Sequence, residues 1–183
     1  MTGKYIILIG GFLAAGKTSF SQHLSRNLQV LSVNKDHIKE RLCDRIGFSS
    51  REENLKLSHA TFDVMMHIAE QSMMAGLPII LESNFRKHDS EQLLPLIRKY
   101  KYTPVTIMMT GDLNILYARF IKRLDGRHPA HKSVSLDFES YSAHCRSLLD
   151  FDVGGEKISI DTTNFEDISY DDIITRIRRV LHA

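Results

Sequence analysis

"LIGGFLAAGKTSF", residues 8–20, joins an apolar run to an amphipathic one through a turn rich in glycine. Within it, Gly11-Phe12-Leu13-Ala14-Ala15-Gly16-Lys17-Thr18 satisfies G-x-x-x-x-G-K-[ST] at every defined position. Tyr5 to Ile9, just before it, is continuously apolar, as a strand buried on both faces requires. After it, Phe20, Leu24 and Leu28 recur at helical spacing. The expected local structure is strand, loop and helix in that order.

A loop of this composition suits one kind of ligand. A chain of phosphates is wrapped only by backbone that comes very close and turns several N–H groups inward, and Gly11 and Gly16 leave room for that approach. Ala14, Ala15 and Ser19 complete the expected cradle. The helix starting near Lys17 offers unpaired N–H groups and the positive end of its dipole. Lys17 is placed to reach the β and γ phosphates, and Thr18 to offer its hydroxyl to Mg²⁺. The motif therefore points to a nucleoside triphosphate, with ATP and Mg²⁺ as the expected cofactors, and is silent on the reaction.

The 183 residues suffice for one well-buried core and are too few for two ordinary domains, so residues 1–183 are expected to form a single domain. Hydrophobic residues make up 43% and charged residues 25%, and no apolar run is long enough to cross a bilayer. The first strand begins too early for a signal peptide, and Cys43 and Cys145 have no partners at zinc spacing. A cytoplasmic protein with free thiols is expected. The net charge of +2 does not by itself imply nucleic-acid binding.

Further strands are expected at Val30–Val33, Pro78–Leu81, Pro104–Met109 and Lys157–Ile160, most of them separated by helix-length segments. This alternation predicts a parallel α/β sheet covered on both faces. A helix from Glu52 to Ala75 is expected to bury Leu55, His59, Phe62, Met66, Ala69 and Met73, and a last helix from Tyr170 to Leu181 closes the fold.

In such a sheet, ligands lie outside the carboxyl ends of the strands. The second strand runs into Asn34-Lys35-Asp36, the third into Glu82-Ser83-Asn84 and the last into Asp161-Thr162-Thr163-Asn164. Asp36 is either the N-cap of the next helix or a catalytic carboxylate. Glu82, Asn84 and Arg86 are candidates for acceptor binding, and Glu82 equally for Mg²⁺. Asn34-Lys35-Asp36 lacks the spacing of the guanine-reading N-K-x-D pattern, because Asp36 follows Lys35 directly. In "YARFIKRLDGRHPAHKS", Arg119 and Arg123 share one side of a helix, Arg127 follows Gly126, and Lys132 adds charge. The segment at about 119–133 reads as a cover bringing cations over a triphosphate. His128 and His131 read as part of a polar hinge, with no third metal ligand nearby.

Taken together, these features resemble the small P-loop kinases that include polynucleotide 5′-kinases, zeta-toxin-like kinases, chloramphenicol phosphotransferase and gluconate or shikimate kinases, within the AAA-type ATP-binding P-loop superfamily. The resemblance runs from Ile6 to Leu181. It implies a three-layer α/β fold with five parallel strands in the order 2-3-1-4-5 and a helical lid. It also implies Asp36 as the base toward the acceptor hydroxyl, Arg123 and Arg127 on the phosphates, Arg119 stacked on adenine, and Thr163 and Asn164 near adenine. Glu82 stands where many relatives carry aspartate. The expected activity is transfer of the γ-phosphoryl group of ATP to a hydroxyl of a small or nucleoside-like molecule. The alternatives are a nucleotide-dependent switch acting through a protein partner, and a polynucleotide 5′-kinase. Phe85-Arg86-Lys87-His88 has only Phe85 to stack a base, so nucleic acid is the less favoured acceptor.

Overall fold

Five apolar segments form parallel strands: β1 (Tyr5–Gly11), β2 (Leu31–Asn34), β3 (Ile79–Glu82), β4 (Thr103–Thr110) and β5 (Glu156–Asp161). They lie in the order β2-β3-β1-β4-β5. Around them pack α1 (Lys17–Leu28), α2 (Lys35–Ile46), α3 (Arg51–Met74), α4 (Asp89–Tyr100), α5 (Leu113–Arg123), α6 (Phe138–Ser147) and α7 (Tyr170–His182). The structure is a computed structural model that describes residues 3–131 and 136–182. Lys132, and with it the end of the expected cover, lies outside the described residues.

Alternation along β1 divides its side chains between two cores. Tyr5, Ile7 and Ile9 face Phe20 and Leu24 of α1, Phe120 of α5, Tyr141 of α6 and Ile177 of α7. Ile6 and Leu8 face Phe62, Met65 and Met73 of α3 and Leu93 of α4. All five strand residues are almost wholly buried, each contributing roughly 1.5–3 kcal/mol of hydrophobic stabilisation for the larger side chains. That two-sided burial explains the unbroken apolar run in the sequence.

β1 extends two residues further than expected, to Gly11, and this changes why Gly11 is a glycine. Its φ is +121°, and a Cβ there would lie 2.0 Å from the Met109 carbonyl oxygen of β4. The Phe12 amide donates to that oxygen at 2.8 Å. Close approach of β4, rather than of a phosphate, excludes a side chain.

The α3 expectation needs a second correction. Phe62, Met66, Ala69 and Met73 are buried, but Leu55 is 55% exposed and His59 is exposed. The first turns of α3 run past the carboxyl ends of β2 and β3, so this part of the helical stripe faces a cleft and not the sheet. Ser50 caps the helix, its hydroxyl accepting from the Glu53 amide at 3.1 Å.

Candidate active site

The loop between β1 and α1 closes around its own lysine. Ala14 (φ 62°) and Gly16 (φ 84°) take left-handed conformations, which turn the chain into α1. The Lys17 ammonium donates to the carbonyls of Gly11 (3.0 Å) and Phe12 (2.7 Å). Behind the loop, the buried Tyr141 hydroxyl donates to the Leu13 carbonyl at 2.8 Å, fixing the loop to α6. Desolvation lowers the Lys17 pKa to about 8, against the opposing pull of Glu82 and Asp36 and with help from Arg123. An ammonium held this way is poised to exchange two carbonyls for phosphate oxygens.

At the end of β3, Glu82 is buried at 5% exposure and surrounded by neutral donors. Thr18 donates to Oε1 at 2.9 Å, Ser21 to Oε2 at 2.8 Å, and the Asn34 carboxamide to Oε2. No lysine, arginine or histidine forms an ion pair with it among the described residues. A buried carboxylate whose partners are all neutral has charge left to offer a cation, and Mg²⁺ commonly takes one or two carboxylates with phosphates and waters. Thr18 and Glu82 therefore fit Mg²⁺ as oxygen donors. Among the described residues, no group of three or more His, Cys, Asp or Glu side chains could hold a metal by itself.

Asn34 also removes one of the two readings of Asp36, the helix cap. Its side-chain oxygen accepts from the His37 amide at 2.9 Å, so Asn34 is the N-cap of α2. Asp36 lies in the first turn of α2, and its side chain lines two cavities. The first, about 410 Å³, is bounded by Gly16, Lys17 and Thr18 and by Asp36, Glu82 and Asn84. Ala14, Ala15 and Ser19 also line it, as do Arg119, Arg123 and Arg127. The second, about 400 Å³, lies between α2, α3 and the segment after β3, and Asp36, Asn84 and Arg86 line it.

The arginines differ in their tethering. Arg119 donates to the carbonyls of Thr162 (2.6 Å) and Thr163 (2.7 Å), and its guanidinium lies 4.1 Å from the centre of the Phe165 ring. It forms part of the fixed wall. Arg127 lies 5.9 Å from the Phe120 ring, and desolvation lowers its pKa. Gly16 is matched to Phe165: a Cβ at Gly16 would sit 2.9 Å from that ring. Thr163 and Asn164 lie outside the lining of the first cavity; Thr163 accepts from the Asp112 amide at 2.8 Å and Asn164 donates to Asp167 at 2.9 Å.

Beyond α5, the chain docks on α2 and α3. The Ala130 carbonyl accepts from Lys39 (3.2 Å) and Asn54 (3.0 Å), His128 pairs with Asp44 at 2.8 Å, and His131 with Glu40 at 3.1 Å. Both histidines are thus polar contacts of this segment. Phe85, the expected stacking residue, is 1% exposed and stacked on Phe151 at 4.8 Å, so it offers no surface to a base.

The roles of Asn34, Ser21 and Phe165 escape a reading of the sequence. Asn34 left a trace, since asparagine three residues before His37 has the spacing of an N-cap. Ser21 and Phe165 left none, because each acts through a contact distant in sequence.

Comparison with known proteins agrees with this fold. The AAA domain family matches residues 6–144. The chain belongs to the AAA domain family. No curated protein sequence matches it. A Chloroflexus aurantiacus protein provisionally described as a kinase shares 27% identity, with a TM-score of 0.89 over 99% of this chain and 100% of that one. Mycobacterium tuberculosis APS kinase, solved with AMPPNP and APS, shares 13% identity with a TM-score of 0.65, covering both chains fully. A Sinorhizobium meliloti gluconokinase shares 13% identity with a TM-score of 0.55, covering 100% of this chain and 92% of its own. This AAA domain protein is a small P-loop kinase by fold, built to bind a nucleotide. Among the described residues, no helix is long and apolar enough to cross a membrane.

Proposed function

We propose that this kinase transfers the γ-phosphoryl group of ATP to a hydroxyl of a small, compact acceptor. The observation that carries the reading is the position of Asp36 on a wall shared by the two cavities. One cavity contains the phosphate loop and the other is a separate chamber of a size for a small molecule. A switch that only hydrolyses ATP has no need of the second chamber.

In this reading, the loop amides and Lys17 hold the phosphates, and Arg123 and Arg127 face the charge that develops on the transferred group. Arg119 and Phe165 flank the nucleobase, with Thr163 and Asn164 at its edge. Asp36 accepts the acceptor's hydroxyl proton as that oxygen bonds to the γ-phosphorus and the bond from phosphorus to the departing ADP oxygen breaks. Thr18 and Glu82 would hold Mg²⁺, which when bound neutralises phosphate charge. Asn84 and Arg86 contact the acceptor. Residues 1–183 act as one domain, and the segment from about 119 to 133 serves as its cover, hinged beyond the tethered Arg119. Two buried free cysteines support a cytoplasmic setting. The burial of Phe85 disfavours an oligonucleotide acceptor.

A screen of hydroxyl acceptors with γ-labelled ATP tests the reading. Label is expected in a small acceptor; label found only in inorganic phosphate under every condition would favour the ATPase alternative.

A further inference from the structure

The wall of the second cavity carries more positive charge than its own carboxylates engage. Lys35, Lys39 and Arg86 all line it, and none makes an ion pair among the described residues. The Lys35 ammonium donates to the neutral Ser58 hydroxyl at 3.3 Å and lies 5.6 Å from the Phe62 ring centre. The Lys39 ammonium is spent on the Ala130 carbonyl. Arg86 donates through its backbone amide to Asp89 at 2.7 Å, leaving its guanidinium without a carboxylate partner among the described residues.

Asp36, Asp63 and Asp89 also line the cavity, but none of them forms a direct ion pair with these cations among the described residues. Asp89 is 8% exposed and is already engaged by the Arg86 amide and by His88 at 3.3 Å. Asp63 is exposed, as Arg86 is, and Asp36 lines the phosphate cavity as well. Desolvation lowers the pKa of Lys35 against the opposing pull of Asp36 and Asp89, and burial, with Arg86 and Lys17, lowers that of His144. Lys35, partly desolvated and hydrogen-bonded only to a neutral hydroxyl, would gain from a ligand oxyanion brought into direct contact, and the exposed Arg86 guanidinium is free to reach the same group. On the wall shared with the phosphate chamber, the buried Asn84 side-chain oxygen has no hydrogen-bond donor. A ligand hydroxyl would supply one.

Resting on the kinase reading above, we infer that the acceptor is an anionic polyol: its phosphate or carboxylate docks on Lys35 and Arg86, and its hydroxyls lie at Asp36 and Asn84. The arrangement spans the chamber with charge at one end and the reacting oxygen at the other. It selects acceptors by oxyanion, with guanidinium and ammonium offering strong charge-assisted hydrogen bonds.

Matched acceptor pairs test this: gluconate against glucose, glycerol 3-phosphate against glycerol, and AMP against adenosine, each with ATP and Mg²⁺. At least one anionic member is expected to exceed its neutral partner by about ten- to hundredfold in kcat/KM, the range of one or two charge-assisted contacts. The pair that responds tells carboxylate from phosphate. In Arg86→Gln and Lys35→Gln that preference is expected to collapse toward unity, mainly through KM of the anionic member. Equal use of both members by the wild type, or a preference that survives both substitutions, would overturn the inference. Where no pair is phosphorylated, calorimetric titration of the same compounds onto protein saturated with AMPPNP separates the two failures. Binding of an anionic member that Arg86→Gln abolishes would uphold the pocket and count against the kinase reading; no binding would overturn the pocket.

Discussion

Asn34 and Glu82 face each other across the paired strands β2 and β3, and the Asn34 carboxamide donates to the Glu82 carboxylate while accepting from the His37 amide. One side chain thus ties the buried acid beside the phosphate loop to the first turn of the helix that carries Asp36. Asn34→Ala is expected to lose about 1 kcal/mol as a missing cap, and more from the unsatisfied Glu82 oxygen. A structural role alone would lower the melting temperature. The account adds a shift of the Mg²⁺ dependence of turnover to higher Mg²⁺, which a metal titration at saturating ATP would read.

Lys17 makes nucleotide binding depend on pH in a definite direction. Its pKa in the free protein, about 8, lies below the ordinary 10.5, so folding carries a cost that is fully present below pH 8 and fades as pH rises toward 10.5. Phosphate oxygens restore the charge. Binding of an ATP analogue near pH 9 is therefore expected to take up about one proton, and affinity is expected to fall above pH 8. Calorimetry in buffers of different ionisation enthalpy measures the uptake. Lys17→Met should abolish it; an unchanged proton count in that variant would assign the titration elsewhere.

Gly16 and Phe165 form a matched pair. Gly16→Ala places a methyl 2.9 Å from the Phe165 ring on a backbone with φ of 84°, and is expected to cost about 1–3 kcal/mol in stability and to weaken nucleotide binding. Adding Phe165→Ala should recover the part due to the ring and leave the part due to backbone strain. A double-mutant cycle on melting temperature checks this, and strict additivity would mean that the ring contact is irrelevant.

Most of the fold was legible in the sequence because its determinants are local or periodic. The phosphate loop is one contiguous motif, and β1 buries both faces, so its apolar run is unbroken. Where the reading failed, the cause lay across the fold. Gly11 is explained by the Met109 backbone of β4, and the exposed start of α3 by a cleft beyond the strand ends. The cap reading of Asp36 fell because Asn34, two residues earlier, takes that position, a contact that the sequence alone left open. Arg119 has the sequence character of a mobile cation, yet two carbonyls from the segment after β5 hold it.

The cover proposal concerns the chain beyond Arg119. Its contacts on α2 and α3 combine an exposed pair, His128–Asp44, with a buried hydrogen bond from Asn54 to the Ala130 carbonyl, so any movement of the segment has to give up that buried bond. Hydrogen exchange in residues 122–131 is expected to slow on addition of an ATP analogue, while α1 beyond its first turn changes little. Equal exchange with and without the analogue would make this segment a fixed surface.

The central claim, that Asp36 serves phosphoryl transfer and not the architecture of α2, is tested most directly by single-turnover transfer in Asp36→Asn with an acceptor that the wild type uses. The account predicts ATP affinity within about twofold of wild type, an unchanged melting temperature because Asn34 keeps the cap, and a transfer rate lower by about 10²–10⁴. A transfer rate like that of the wild type, or a loss of rate explained wholly by a lower melting temperature, would contradict it.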